Sequence, residues 1–198
     1  MTGRFPSKKI LKRRGTIRFD NTTTVFIDLV GFSRDATTNE MKRLCDNLGS
    51  TLDRVLRPNY YWDEWDKPND LILSPSGDGY AITFCPAIGG TEILSQVRSI
   101  YYDLVRLRHY QVRFGLNVGP IFLFLDLNNV INVIGWGIIL ARRVMDEAEP
   151  NQILCSDTFA EPLKYDVSEL KYLGEREVKW GKKIRVFNYK TDKIGIGS

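Results

Sequence analysis

Histidine is almost missing from this chain. His109, inside "RLRHYQVRF", is the only one. A Ser-His-Asp triad or a histidine-based metal centre is therefore excluded in practice, and His109 itself reads as structural. The three cysteines, Cys45, Cys85 and Cys155, are widely spaced and form no metal pattern. An odd count without a framework fits a reducing compartment. Long apolar runs are also missing: nothing approaches the roughly 18 residues of a membrane span. No apolar signal core stands near the start, so the expected location is cytoplasmic. Repeats and an interdomain linker are absent, and 198 residues suffice for one domain with its own core.

Acidic residues are absent from "GRFPSKKILKRRGTIR", which carries seven basic ones, although the net charge of the chain is only +4. Residues 1–20 are expected to be a solvated or poorly ordered basic segment. A contact with nucleic acid or with a nucleotide's phosphates ranks behind that, and nucleic acid is not expected as a partner. Residues 193–198 read as a tail, which leaves 21–192 for the folded domain.

What is present is an alternation of elements. "TTTVFIDLVGF" is rich in β-branched and aromatic residues and predicts a first strand. In "TTNEMKRLCDNLGSTLDRVL", Met41, Leu44, Leu48, Leu52, Val55 and Leu56 recur at helical spacing, and Thr37 with Glu40 has capping-box spacing. A loop with four aromatics follows. "LILSPSGDGYAITF" predicts strand, tight turn, strand, with Pro75, Gly77 and Gly79 supplying turn chemistry. Residues 91–110 predict a second long helix, and "QVRFGLNVGPIFLFLDL" a long strand or a pair of strands. "WGIILARRVMDEAE" predicts a third helix, "QILCS" a short strand, and "LGEREVKWGKKIRVFNYK" a closing hairpin. The expected class is α+β: a ferredoxin-like βαββαβ core with a C-terminal α-β-β extension.

Asp28 stands in an apolar strand, where an unpartnered carboxylate is costly. In a βαββ order the end of the first strand lies beside the turn of the following hairpin, which brings Asp28 near Asp78. Two such carboxylates repel unless a cation lies between them, and hard oxygen donors suit Mg²⁺ or Mn²⁺. The turn after Asp28, Leu29 to Ser33, offers backbone N–H groups to phosphate oxygens. Read singly, Asp28 is a helix cap and Asp78 a turn aspartate. Read together, they favour the metal.

These motifs resemble the class III nucleotidyl cyclases over about residues 23–189. "FIDLVGFS" is similar to the family's first metal motif, with Asp28 as ligand and Leu29 lending its carbonyl; Val30, Gly31, Phe32 and Ser33 follow in the phosphate turn. "SGDGYAITF" is similar to the second, with Asp78 as ligand. "VRFGLNVGPI" resembles the central strand. "NVIGWGIILARRVMDEAEPNQILCS" resembles the helix carrying the transition-state arginine, Arg143, beside its neighbour Arg142. "VKWGKKIRVFNY" resembles the closing hairpin, whose lysine, Lys179, binds terminal phosphates. The resemblance implies a 3′-hydroxyl attacking its own α-phosphate with loss of pyrophosphate, assisted by two divalent cations. It also implies a head-to-tail homodimer in which Arg143 serves the partner's site.

The pattern breaks where the family reads the base. Ser74 stands where adenylate cyclases carry lysine and guanylate cyclases an acid. Asn132 stands where adenylate cyclases carry aspartate or threonine, and Ile139 replaces a ribose-orienting asparagine. With neither purine signature, the chain resembles the pyrimidine cyclases of the Pycsar anti-phage system, whose cyclic UMP or cyclic CMP activates a separate effector. An amide such as Asn132 serves the mixed donor-acceptor edge of uracil or cytosine, and UTP ranks slightly ahead of CTP. Tyr60, Tyr61 and Trp62 are candidates for narrowing the pocket, or are plain core. Adenylate or guanylate cyclase, a degenerate binding module, and polymerase-palm or cyclic-dinucleotide chemistry on a related fold remain the alternatives.

Overall fold

The structure is a computed structural model that describes residues 3–31, 37–62 and 65–191. Its strands are β1 (Ile17–Leu29), β2 (Leu71–Ser76), β3 (Gly79–Phe84), β4 (Val112–Leu125), β5 (Ile131–Ile134), β6 (Gln152–Ser156), β7 (Leu170–Val178) and β8 (Lys182–Tyr189). Its helices are α1 (Lys8–Arg14), α2 (Thr38–Leu56), α3 (Gly90–Tyr101), α4 (Trp136–Asp146) and the single turn α5 (Asp157–Ala160). One sheet runs β2-β3-β1-β4-β6-β8-β7, and β5 folds back on the far end of β4. The first four strands in that order form the expected βαββαβ core, so the class is α+β. The extension joins through β6, parallel to β4, and closes with the β7–β8 hairpin.

Strand alternation sends neighbouring residues of β1 to opposite faces. Val25, Ile27 and Leu29 meet Leu44, Leu48 and Leu52 of α2 and Ile93 and Val97 of α3 in the main core. Phe26 points the other way and packs with Ala81, Ala141 and Met145 under α4. Asp28, two residues on, shares that α4 face. α2 starts as its sequence predicts: the Thr37 side chain accepts from the Glu40 backbone N–H, and the Glu40 carboxylate accepts from the Thr37 N–H.

α4 lies directly on β4. A Cβ on Gly115 would overlap the Ala141 carbonyl oxygen and the Met145 nitrogen, and Gly119 and Gly137 are nearly as close to one another. Asn117, buried between them, fixes the approach: its Nδ2 donates to the Gly137 carbonyl at 3.0 Å and its Oδ1 accepts from Thr158 at 3.0 Å. A buried amide satisfied at both ends pins helix to strand.

Three expectations need correction. β1 begins at Ile17 rather than near Thr22, so the division at 20/21 falls inside a strand. The basic segment is not a loose tail: α1 is docked by Phe5 and Leu11, both buried against Ile72, Ile121, Leu123 and Val133. The Phe5 N–H and carbonyl also pair with Asn69, and Arg4 Nε holds Asp70 at 2.7 Å. The helix expected over 91–110 changes at Tyr102 into a π-helical stretch, Tyr102–Leu107. That widening turns Asp103 inward, where Thr51, Arg54 and Arg108 engage its carboxylate.

Gly115→Ala is expected to destabilise the fold by ~3 kcal/mol, a fall in Tm of about 6–12 °C, because backbone atoms cannot yield as a side chain can. Thermal unfolding of the variant checks this.

Candidate functional site

Asp28 ends the run of β1, opposite Gly79 on β3 and Arg113 on β4. The β2–β3 turn is Gly77–Asp78, and Gly77 takes a left-handed conformation with φ 62°. Gly79 lets that turn close on β1, since a Cβ there would overlap the carbonyl oxygen of Ile27. The approach brings the Asp78 carboxyl within hydrogen-bonding reach of Asp28. Both expected metal ligands therefore meet on the α4 face.

The electrostatics of the pair are tense. Burial pushes the Asp28 carboxyl above the ordinary aspartate range, and neighbouring Asp78 adds to the rise. Arg113 opposes it, with Nη2 at 2.5 Å and Nε at 3.2 Å from the same Asp28 oxygen. Arg113 is the residue that sequence reasoning missed. Its signal is the register: the second residue of β4 faces the second-last residue of β1. The donor set of two carboxylates and the Leu29 carbonyl consists of hard oxygens, which fits a Mg²⁺- or Mn²⁺-class cation.

The turn after β1 begins at Leu29. Leu29 closes β1, the Val30 N–H donates to the Gln111 carbonyl at 2.8 Å, and Gly31 is left-handed at φ 80°. Phe32 and Ser33 lie outside the described residues. Ser74, on β2 opposite Ala81, shares the α4 face. Asn132, on β5 opposite Phe124, donates Nδ2 to Asp126 at 2.9 Å. Asp126 in turn accepts from the N–H groups of Asn128 and Val130, so Asn132 is tied to the β4–β5 turn.

Of the aromatic candidates, Trp62 borders a hollow of about 360 Å³ that is also lined by Leu73 and Pro75, the β2 neighbours of Ser74, and by Asn128 to Ile131. Tyr60 is core on the α2–α3 face and donates its hydroxyl to Glu92 at 2.7 Å. Trp62 is buried in the same cluster beneath the Arg57 guanidinium, and Tyr61 is exposed.

Arg143 sits on α4, 17% exposed, with Nη1 on Asp146 at 2.7 Å. Arg142 lies over the ring of Phe26 instead. Lys179 occupies the turn between β7 and β8, on the surface. It belongs to the opposite end of the sheet from Asp28. From the level of Arg113, four residues of β6 lead from Gln152 to Ser156, and four of β8 lead from Val186 to Lys182. At ~3.3 Å per residue that separates the two ends by roughly 25 Å along the strands. One chain cannot bring Lys179 to Asp28. The β4–β5 arm and the start of α4 meanwhile expose Phe122, Leu127, Val130, Ile134 and Ile139, an apolar stretch of the kind that meets a partner.

No described helix is long and apolar enough to cross a membrane. No family model matches the chain, and no curated protein matches its sequence. Solved structures do match its fold. The guanylate cyclase domain of RhGC from Catenaria anguillulae, in complex with GTP, superposes with a TM-score of 0.72 at 18% identity, over 88% of this chain and 98% of that one. The adenylyl cyclase CyaB from P. aeruginosa superposes with a TM-score of 0.72 at 16% identity, covering 92% and 99%. An adenylate/guanylate cyclase/hydrolase from Silicibacter pomeroyi gives 0.68 at 22% identity, covering 89% and 99%. The chain thus has the fold of these cyclase domains.

The raised Asp28 pKa has a consequence for stability. Its stabilising share is present below the unfolded carboxylate pKa and is lost as pH rises through the higher folded value. Asp78→Asn removes one cause of the rise. In chelator at pH 7 the variant is expected to melt a few degrees higher than wild type, by about 1–3 °C. The two should converge below about pH 4, where carboxyls are protonated. Calorimetry across pH reads both features.

Proposed function

We propose that this chain is a metal-dependent nucleotidyl cyclase working as a head-to-tail homodimer on a pyrimidine nucleoside triphosphate, UTP ahead of CTP. The observation that carries the reading is the meeting of Asp28 and Asp78 on the α4 face of a sheet with the cyclase-domain fold. Asp28, Asp78 and the Leu29 carbonyl would hold two Mg²⁺ or Mn²⁺ ions, which supply charge to the attacking oxygen and to the triphosphate when bound.

The protein's own groups do the rest. Backbone N–H groups of the turn that begins at Val30 and Gly31 cradle phosphate oxygens. If Asp28 holds a cation, its partner Arg113 would be available to the polyphosphate. The 3′-oxygen then bonds the α-phosphorus, the bond to the pyrophosphate oxygen breaks, and the hydroxyl proton leaves to water as pyrophosphate departs. Arg143 of the other protomer meets the charge that grows on the phosphoryl group, and Lys179 of that protomer holds the terminal phosphates. The roughly 25 Å between Lys179 and Asp28 within one chain supports this division of labour, as does the exposed apolar arm.

Ser74 and Asn132 support the pyrimidine preference. Neither supplies the charged group that a purine reader at those positions carries. With Nδ2 on Asp126, the Asn132 carbonyl oxygen is left to accept from the uracil N3–H or the cytosine amino group. The cyclic product then serves as a cytoplasmic second messenger to a separate effector protein in anti-phage defence. Adenylate or guanylate cyclisation is the second reading, favoured by the similar structures, a guanylate cyclase domain in complex with GTP and an adenylyl cyclase.

Incubation with each triphosphate alone in Mn²⁺, followed by separation of 3′,5′-cyclic monophosphates, tests the whole reading. UTP or CTP is expected to give more product than ATP or GTP. ATP or GTP as the best substrate rejects the pyrimidine preference and leaves the cyclase. No cyclic product from any of the four rejects the cyclase.

The composite site has its own check. Asp28→Ala and Arg143→Ala are each expected to lose at least 100-fold in kcat, by analogy with removing one charge-stabilising group. Mixed together they should regain up to about a quarter of wild-type turnover, because statistical exchange makes half of the dimers mixed and each has one intact site. Absence of recovery despite demonstrated exchange would sink the shared site.

A further inference from the structure

The basic segment remains unaccounted for by the proposed catalysis. α1 and the first half of β1 enclose a hollow of about 390 Å³, within the size range of small-molecule sites. Its floor is apolar, made by Phe5, Ile17, Phe19 and Pro68, with the Phe5 and Phe19 rings edge to face at 5.1 Å. Ile10 of α1 borders it and is 41% exposed, a large apolar side chain left in water. Arg4, Arg13 and Arg14 stand around that floor.

Among the described residues, the nearby acids are already engaged. Asp70 is buried and accepts from Arg4 Nε and from the Tyr61 N–H. Asp66 pairs with Lys9, and Asp20 with Arg18. Among the described residues, no hydrogen bond, ion pair or ring contact engages Arg13 or Arg14. Both complement the carbonyl end of α1, which accounts for their sign but not for the apolar hollow they border. Three like charges around one concavity repel each other and favour an anion between them. Guanidinium groups match phosphate oxygens in geometry and charge.

We propose that the hollow between α1 and the start of β1 binds a mononucleotide-sized aromatic phosphate, its phosphate on Arg13 and Arg14 and its flat apolar body on the Phe19 side of the floor. Arg4, anchored by Asp70, supplies a third positive group held in place before the ligand arrives. No polar side chain on the floor reads base edges, so UMP and AMP are both suitable probes. The site is separate from the carboxylate pair and does not rest on the cyclase reading.

The test uses the full chain carrying Asp28→Ala, in chelator, so that the carboxylate pair cannot recruit nucleotide through a cation. Calorimetric titration is expected to show saturable binding of UMP or AMP, at least tenfold tighter than uridine or inorganic phosphate. The double variant Arg13→Ala with Arg14→Ala, both exposed positions, should weaken binding tenfold or more at an unchanged Tm. Vesicles of phosphatidylglycerol form a parallel arm. Absence of saturable nucleotide binding, or equal binding by inorganic phosphate alone, overturns the proposal. Binding undiminished in the double variant, or confined to vesicles, overturns it as well.

Discussion

Backbone meets backbone at two places in this fold, and the site depends on both. At Gly79 the Ile27 carbonyl occupies the volume that any other residue's Cβ would fill. At Gly115 the backbone of α4 does the same. The first contact seats the Asp78 turn against Asp28. The second seats the helix bearing Arg143 on the strand bearing Arg113. Neither position tolerates even a methyl group without moving an element, because packed interiors give little. Placement of the candidate site is a matter of missing side chains as much as of those present.

Charge then works against stability at the point that geometry creates. Two carboxylates meet beside a single arginine, and burial adds to the difficulty of ionising Asp28. An arrangement built for folding alone would replace one of them with an amide. Retaining both is the compromise expected where a fold gives up stability for function. Arg113 moderates the tension without removing it, since both of its hydrogen bonds go to one oxygen of Asp28.

Much of this was readable from local pattern. The capping box at Thr37 and Glu40, the amphipathic run of α2 and the Gly-Asp turn each declare themselves within a few residues. The nearness of Asp28 and Asp78 followed from element order alone. Features set by distant sequence stayed hidden. The segment leading into and forming α1 shows only Phe5, Ile10 and Leu11 as large apolar residues among basic ones, too little to announce a docked helix. The surface that receives it comes from β2, β4 and β5. The π-helical stretch turns Asp103 toward Thr51 and Arg54 of α2, partners that no local window contains. Arg113 needed the β1–β4 register. Tyr60, Tyr61 and Trp62 read from the sequence either as pocket walls or as core; Tyr60 is core and Tyr61 exposed, while Trp62 belongs to the core and also borders the hollow beside β2.

The direction of the strands carries a consequence of another kind. Asp28 lies at one end of the sheet and Lys179 at the other, so on the proposed reading each chain holds two unmatched halves. A lone protomer is then silent however well it folds. Turnover scales with the square of protomer concentration well below the dissociation constant and linearly above it. Abundance itself becomes a control variable: such a protein stays quiet at low copy number and switches on over a narrow range of expression, with no inhibitor required.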